Sequence, residues 1–460
     1  MGLTLIEKGG ARPKRNPRIA LVLAGGAVSG GAFKIGGLKA LDDFLVGRKI
    51  TELDCYVGLS AGAILATSLA SGITPAEMIR VLEGRSARID QLRPIDFYNP
   101  NLSEFISRPA QFGYELATYL PSLATDFARA LPGLPQAMAP ALRRLLAAPS
   151  YTRFEAAVMD LLAHVSPKRG VPAPTNHIPS GFFDNQSLAR WVAHALERSG
   201  MPDDFRDFAR ASRRQLYITA CDLDTAERVV FGADENWEVP ISQAVAASSA
   251  LPIFYKPARI RGVDYVDGGV RHTASIDIAI EKGADLIICY NPFRPFLNRR
   301  DVSAGVARRP TLATDPETER RSLSGNYLSD RGLKTVVNQT FRTLLHSRLE
   351  LGVQRYVSDS SFRGDIVLLE PRETDARFFD LNPLAFWKRS EALAHGFASV
   401  QSTILQNFDR LSALLSRYGL QLDAQRAGHG SRRPRRIGIS LASRPRRARS
   451  QLRIVGAKPR

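Results

Sequence analysis

The chain has 460 residues, 44% of them apolar and 23% charged, a balance that supports a large buried core and excludes a disordered or fibrous chain. Its three cysteines, Cys55, Cys221 and Cys289, are scattered through apolar, strand-like runs, which gives neither a disulfide framework nor a metal cluster and points to a reducing, cytoplasmic compartment. The net charge of +18 is lopsided: Arg426 to Arg460 holds twelve Arg or Lys and no acid, leaving +6 for the rest, so a mildly basic body carries a basic tail.

Residues 1–17 are polar and Gly/Pro-rich, with Lys8, Arg12, Lys14 and Arg15 among them, and are expected to be a flexible N-terminus. The apolar run Ile19 to Ala24 follows. A charged start before a short apolar stretch also fits a secretory signal, but a run of about six residues leading into glycines and a helix suits a buried first strand better. Ile6 stands where a myristoylation site needs Ser or Thr.

Next come Gly25-Gly26-Ala27-Val28-Ser29-Gly30-Gly31 and a helix-like segment through Leu41. A glycine loop between strand and helix turns backbone N–H groups toward an anion. Its spacing does not give the G-x-G-x-x-G register of a dinucleotide site. The same loop suits an acyl-transfer enzyme, where it faces the oxyanion together with the N–H of Ala61. Ala61 closes the next turn. There, Gly58-Leu59-Ser60-Ala61-Gly62 is a G-x-S-x-G sequence between the strand-like Leu53 to Val57 and the Ala-rich helix Ala61 to Ala70. Gly58 and Gly62 leave room for a tight turn that exposes the Ser60 hydroxyl at a helix N-terminus.

From Pro100 to Ser180 the helix-like pieces Phe112 to Leu123, Phe127 to Leu134 and Leu142 to Leu146 alternate with Pro109, Pro121, Pro132, Pro135, Pro140 and Pro149. They read as short helices broken by proline, covering the sheet or capping the site and touching lipid. An amphipathic helix is expected over Leu188 to Leu196, and the sheet resumes at Gln215. Asp222 and Asp224 fit a polar hairpin after a buried strand better than a metal pair. Asp267, in Tyr265-Val266-Asp267-Gly268-Gly269, is a carboxylate at a strand end before a glycine turn. Taken alone it is an Asx turn; beside a serine nucleophile it becomes a candidate base. Of the seven histidines, His272 is the candidate that would complete a Ser-His-Asp arrangement.

Together, the Gly25–Gly26 loop, Gly31-Ala32-Phe33, the Ser60 elbow, Tyr217 to Asp224, Ala246 to Phe254 and the Asp267 turn resemble the patatin-like phospholipase family, bacterial type, over roughly Arg18 to Pro292. The family's G-G-G-x-[RK]-G loop is altered here: Ala27 replaces the third glycine, one residue is extra, and Gly30 stands where a basic residue would be. The resemblance implies a three-layer α/β/α fold with a mainly parallel central sheet. It also implies a Ser60–Asp267 dyad working without histidine, an oxyanion hole from Gly25, Gly26, Ala27 and Ala61, motif glycines Gly58, Gly62, Gly268 and Gly269, and a lipid or phospholipid substrate. No metal or organic cofactor is implied.

Leu286 to Tyr290 reads as another buried strand, and 293–332 as a polar loop. Helical periodicity returns at Leu333, a short strand spans Asp365 to Leu369, and one last amphipathic helix runs from about Leu384 to Tyr418, stopping at Gly419. These elements of 333–425 are expected to pack on the catalytic domain of 18–292, whose helical insertion lies at about 100–180. The tail at 426–460 reads as disordered. It suits an anionic membrane surface better than nucleic acid, since it lacks interleaved aromatics. No apolar run reaches the roughly twenty residues needed to span a bilayer. The expected function is a serine acyl hydrolase acting on lipid esters. The rivals are a soluble esterase or thioesterase using Ser60 with His272, and a catalytically silent membrane- or nucleic-acid-associated protein. Nothing in the sequence speaks to oligomeric state.

Overall fold

The computed structural model describes residues 2–10, 14–165, 172–298 and 327–425; most of the expected polar loop and the whole basic tail lie outside the described residues. Nine strands form the main sheet: β1 (Leu3–Ile6), β2 (Ile19–Leu23), β3 (Cys55–Gly58), β4 (Gln215–Asp222), β5 (Arg228–Phe231), β6 (Ala258–Ile260), β7 (Val263–Asp267), β8 (Leu286–Tyr290) and β9 (Asp365–Leu369). Their spatial order is β1-β9-β8-β2-β3-β4-β7-β6, with β5 also paired to β4. The five central strands, β9 to β4, are mutually parallel, and β1, β5, β6 and β7 are added antiparallel. Buried on both faces, β2 and β8 read as the apolar runs IALVL and LIICY, and β9 as IVLL after Asp365.

Alternation along the strands sorts their side chains into two cores. Ile19, Leu21, Tyr56, Leu216 and Ile218 pack on one face with α1 (Ala27–Phe44), α2 (Ala61–Ala70), α4 (Ile241–Ser248) and α7 (Arg389–Gln406). Ala20, Val22, Cys55, Val57 and Tyr217 pack on the other with α5 (Ile276–Glu281) and Leu349 of α6 (Leu333–Ser358). The result is the expected three-layer α/β/α fold, and the three cysteines sit buried in it as free thiols.

The insertion departs from expectation. A single helix, α3 (Leu102–Ala130), runs straight through Pro109 and Pro121, and Pro140 lies inside the helix Leu134–Ala147. Each internal proline forgoes one backbone hydrogen bond and marks a site for a kink rather than an end. Pro132 and Pro135 occupy first-turn positions, where the missing N–H costs nothing. A small sheet anchors the base of the insertion, with Asn99–Pro100 pairing Gly181–Asp184, which pairs Ile253–Tyr255.

Two further expectations are corrected. The flexible N-terminus holds an edge strand: β1 pairs β9 from Leu3↔Leu369 to Ile6↔Ile366, and Leu3 and Ile6 are buried. Four residues are too few to raise a periodic signal above a polar, Gly/Pro-rich background. The single last helix is instead α7 and a separate helix Phe408–Ser416, divided at Asn407, where φ is −124° and ψ 22°. The apolar spacing continues across that residue, so the break leaves no trace in the pattern. The stop at Gly419 is as expected, with φ +73°. No helix among the described residues is long and apolar enough to cross a membrane.

Candidate active site

Strand register gathers the site. β2 and β3 are parallel with Leu23 level with Gly58, so the glycine loop and the serine turn leave the sheet at the same height. Gly58 is also level with Ile218 of β4. Two residues further along β4, Ala220 is level with Asp267 of the antiparallel β7. Ser60 lies two residues beyond Gly58. The nucleophile candidate and the base candidate therefore stand at one level, flanking the upper part of β4, at the carboxyl edge where parallel sheets hold their ligands.

Locally, the elbow is a sharp strand-to-helix turn. Ser60 has φ 53° and ψ −133°, a region that residues bearing a Cβ rarely enter and that is held only by surrounding structure. Gly62 is required by close approach: a Cβ there would lie 2.1 Å from the carbonyl oxygen of Leu23, and one on Gly58 would lie 2.6 Å from that of Gly62. Ser248, at the end of α4, completes the clamp. Its hydroxyl accepts from the Ser60 backbone N–H (2.8 Å) and donates to the Thr219 carbonyl (2.7 Å). Sequence reasoning gave Ser248 no role beyond its place in a resembling stretch. Replacing it with alanine strands a buried N–H, so Ser248→Ala is expected to cost about 1–3 kcal/mol of stability in urea unfolding.

The Ser60 hydroxyl faces the Asp267 carboxylate and favours its ionised form, while Oδ1 of that carboxylate accepts from the Gly269 N–H at 2.8 Å. Asp267 thus forms the Asx turn and stands beside the serine. It is 3% exposed and Ser60 7%. Burial pushes the Asp267 carboxyl up to about 6, against the nearby Ser60 hydroxyl, the Gly269 N–H and the charge of Lys34. Lys34, on the second turn of α1, is wholly buried, and its Nζ donates to the carbonyls of Ala24 and Gly25. Burial lowers it to about 7, opposed by the charge of Asp267. A lone Lys between Phe33 and Ile35 was the available signal.

Of the expected oxyanion group, Gly25 abuts the serine: a Cβ there would lie 3.3 Å from Ser60 Cβ. Gly26 precedes α1 with φ +153°, and Ala27 follows with φ +50°. Ala27 and Ala61 are first in their helices, where N–H groups have no intrahelical acceptor. Both line the narrow cleft beside Ser60, with Ile64, Phe97, Leu188, Leu251 and Tyr255. An adjoining apolar cleft shares Ala27, Ala61 and Ile64 and reaches Ile35, Leu65, Leu82, Leu92 and Phe386.

The other candidates go elsewhere. His272 is partly buried, and the charges around it are Arg228, Asp277, Arg271 and Arg348; burial first, then Arg228, lowers its proton affinity. Neither Ser60 nor Asp267 is among these neighbours. The Asp222 carboxylate accepts from the backbone of Asp224 and Thr225, as a polar hairpin turn between β4 and β5.

A family model for patatin-like phospholipases matches residues 21–280, more than half of the chain. Among solved structures, VipD from Legionella pneumophila is similar at 15% identity and a TM-score of 0.35, over 88% of this chain and 70% of that one. ExoU, in complex with SpcU from the type III secretion system of Pseudomonas aeruginosa, is 17% identical with a TM-score of 0.28, over 88% of this chain and 66% of that one. Human GIVD cytosolic phospholipase A2 in complex with methyl gamma-linolenyl fluorophosphonate is 11% identical with a TM-score of 0.30, over 87% of this chain and 59% of that one. The chain thus spans 59% to 70% of the length of these three structures, and likenesses this loose carry no weight for its mechanism or substrate.

Proposed function

The chain belongs to the patatin-like phospholipase family, and from that premise we propose that it is a serine acyl hydrolase cleaving fatty-acyl esters of lipids or phospholipids through Ser60 and Asp267. Ser60 Oγ attacks the ester carbonyl carbon as its proton passes to the Asp267 carboxylate. The oxyanion is held by N–H groups of Gly25, Gly26, Ala27 and Ala61. Collapse of the tetrahedral intermediate releases the alcohol, which takes the proton from Asp267. Water then attacks the acyl-enzyme, giving its proton to Asp267 and returning the serine hydroxyl with a free fatty acid.

The observation that carries this function is a strained, buried serine whose hydroxyl faces a buried carboxylate, beside a cleft that continues into an apolar one. In water a carboxylate is too weak a base for a serine hydroxyl; desolvation raises its proton affinity toward neutrality while leaving it ionised at pH 7. The apolar cleft suits an acyl chain. The surroundings of His272 favour Asp267 over a histidine base. The basic tail at 426–460 is proposed to add contact with anionic lipid, placing a cytoplasmic protein at the membrane surface.

The test is fatty-acid release from mixed phospholipid vesicles, with soluble aryl esters in parallel. Asp267→Asn is expected to lower kcat by about 10²–10⁴-fold, and His272→Ala to retain wild-type rates. Because the base must be ionised, kcat/KM of the wild type should rise with pH through about 6. Loss of activity in His272→Ala, or a rate indifferent to Asp267→Asn, would replace the dyad with a histidine mechanism.

A further inference from the structure

We propose that Lys34 is the positioning residue of the oxyanion loop, which rests on the acyl-hydrolase function above: by holding the carbonyls of Ala24 and Gly25 on one side, it turns the N–H groups of Gly25 and Gly26 toward the Ser60 side. A trans peptide points its C=O and N–H in opposite directions. The carbonyl of Ala24 shares a plane with the N–H of Gly25, and the carbonyl of Gly25 with the N–H of Gly26. Lys34 Nζ donates to both oxygens, at 3.0 Å to that of Gly25. Two consecutive peptide planes are thereby fixed by one side chain.

The complementary observation concerns the N–H groups. The Ala24 N–H is taken by the Tyr290 carbonyl at 3.2 Å, which ties the loop's start to β8. The next two, of Gly25 and Gly26, find no acceptor among the described residues. The loop thus has satisfied oxygens behind and unpartnered donors in front, with Gly25 packed on the serine turn. Glycines at 25 and 26 have no side chain to hold such an arrangement, and their freedom makes an external hold necessary.

A lysine is a costly choice for this place. Lys34 is 0% exposed, and a methionine of similar length would fill the volume without desolvating an amine. What methionine lacks is the pair of donors. Burial brings Lys34 down to about 7, and with or without its third proton the amine still has two N–H groups for two carbonyls. The side chain runs back toward the start of its own helix, the direction helical geometry favours, so α1 itself supplies the donors that hold the loop.

Wild type, Lys34→Met and Lys34→Gln are compared by crystal structure and by kinetics on a soluble aryl ester. In Lys34→Met the Gly25–Gly26 peptide is expected to rotate, and kcat to fall about 10²–10³-fold, the usual effect of losing an oxyanion donor, with KM nearly unchanged. Lys34→Gln keeps a neutral donor; it should hold the loop in place and recover at least about tenfold in kcat over Met. An unmoved loop or an unchanged kcat in a folded Lys34→Met overturns the proposal, as does a Gln variant no better than Met. If Lys34→Met does not fold, Lys34→Gln against wild type decides by the same two readouts. If the wild type hydrolyses no ester, the function proposed above fails, while the loop's orientation in the variant crystals still decides the role of Lys34.

Discussion

Ser60→Ala is expected to reduce ester hydrolysis by at least about 10⁴-fold, since removal of a nucleophile leaves only what binding and the oxyanion donors achieve. Stability should hardly change. Alanine keeps the Cβ and the elbow's backbone strain, the Ser60 N–H keeps Ser248 as its acceptor, and Asp267 Oδ1 retains the Gly269 N–H. Ser60→Gly separates the two properties. At φ 53° and ψ −133° a residue with a Cβ carries about 1–3 kcal/mol of strain, while glycine adds about 0.5–1 kcal/mol of unfolded-state entropy. Relief outweighs entropy, so Ser60→Gly should be as inactive as alanine yet about 1 kcal/mol more stable in urea titrations. Hydrolysis surviving in either variant would remove Ser60 from the mechanism. A glycine variant no more stable than wild type would mean that the elbow stores no strain.

The elbow was legible because its signal is local: an apolar run, two glycines around a serine and an Ala-rich helix all fall within Leu53 to Ala70. Asp267 was legible for the same reason, as a carboxylate between a strand and a glycine turn. Their meeting was not. It depends on β4, which enters between β3 and β7 in space but lies some 150 residues after the elbow in the chain, and on an antiparallel register that no residue of the motifs encodes. Residues acting through a third partner were equally hidden. Ser248 and Lys34 are common residue types whose roles arise only when α4 and α1 close over the serine turn. The mistaken proline breaks have a different origin. Proline removes one hydrogen bond, and in α3 neighbouring turns supply the rest, so local preference lost to helix cooperativity.

The packing of α1 carries the last and largest stability effect. α1 and α7 cross at two glycines: a Cβ on Gly36 would lie 2.0 Å from the Leu393 carbonyl oxygen, and one on Gly396 would lie 1.9 Å from that of Phe33. In an exposed helix, glycine to alanine stabilises by about 0.8–1.0 kcal/mol. Here the clash is with backbone, which cannot swing aside, so the helices must separate and lose contact along their length. Gly396→Ala is expected to cost about 3 kcal/mol or more, toward the upper end of overpacking effects. Gly352→Ala in α6 is the control, because its Cβ would meet nothing nearer than Tyr356 Cε2 at 3.9 Å; it should gain up to about 1 kcal/mol. One substitution type thus changes sign within one chain, and equal effects at the two sites would refute the close crossing. The consequence extends to chemistry, because Phe33, whose carbonyl receives the clash, immediately precedes Lys34. A Gly396→Ala protein still folded at low temperature should therefore lose kcat as well, by displacing α1 and with it the amine that holds the Gly25 and Gly26 peptides.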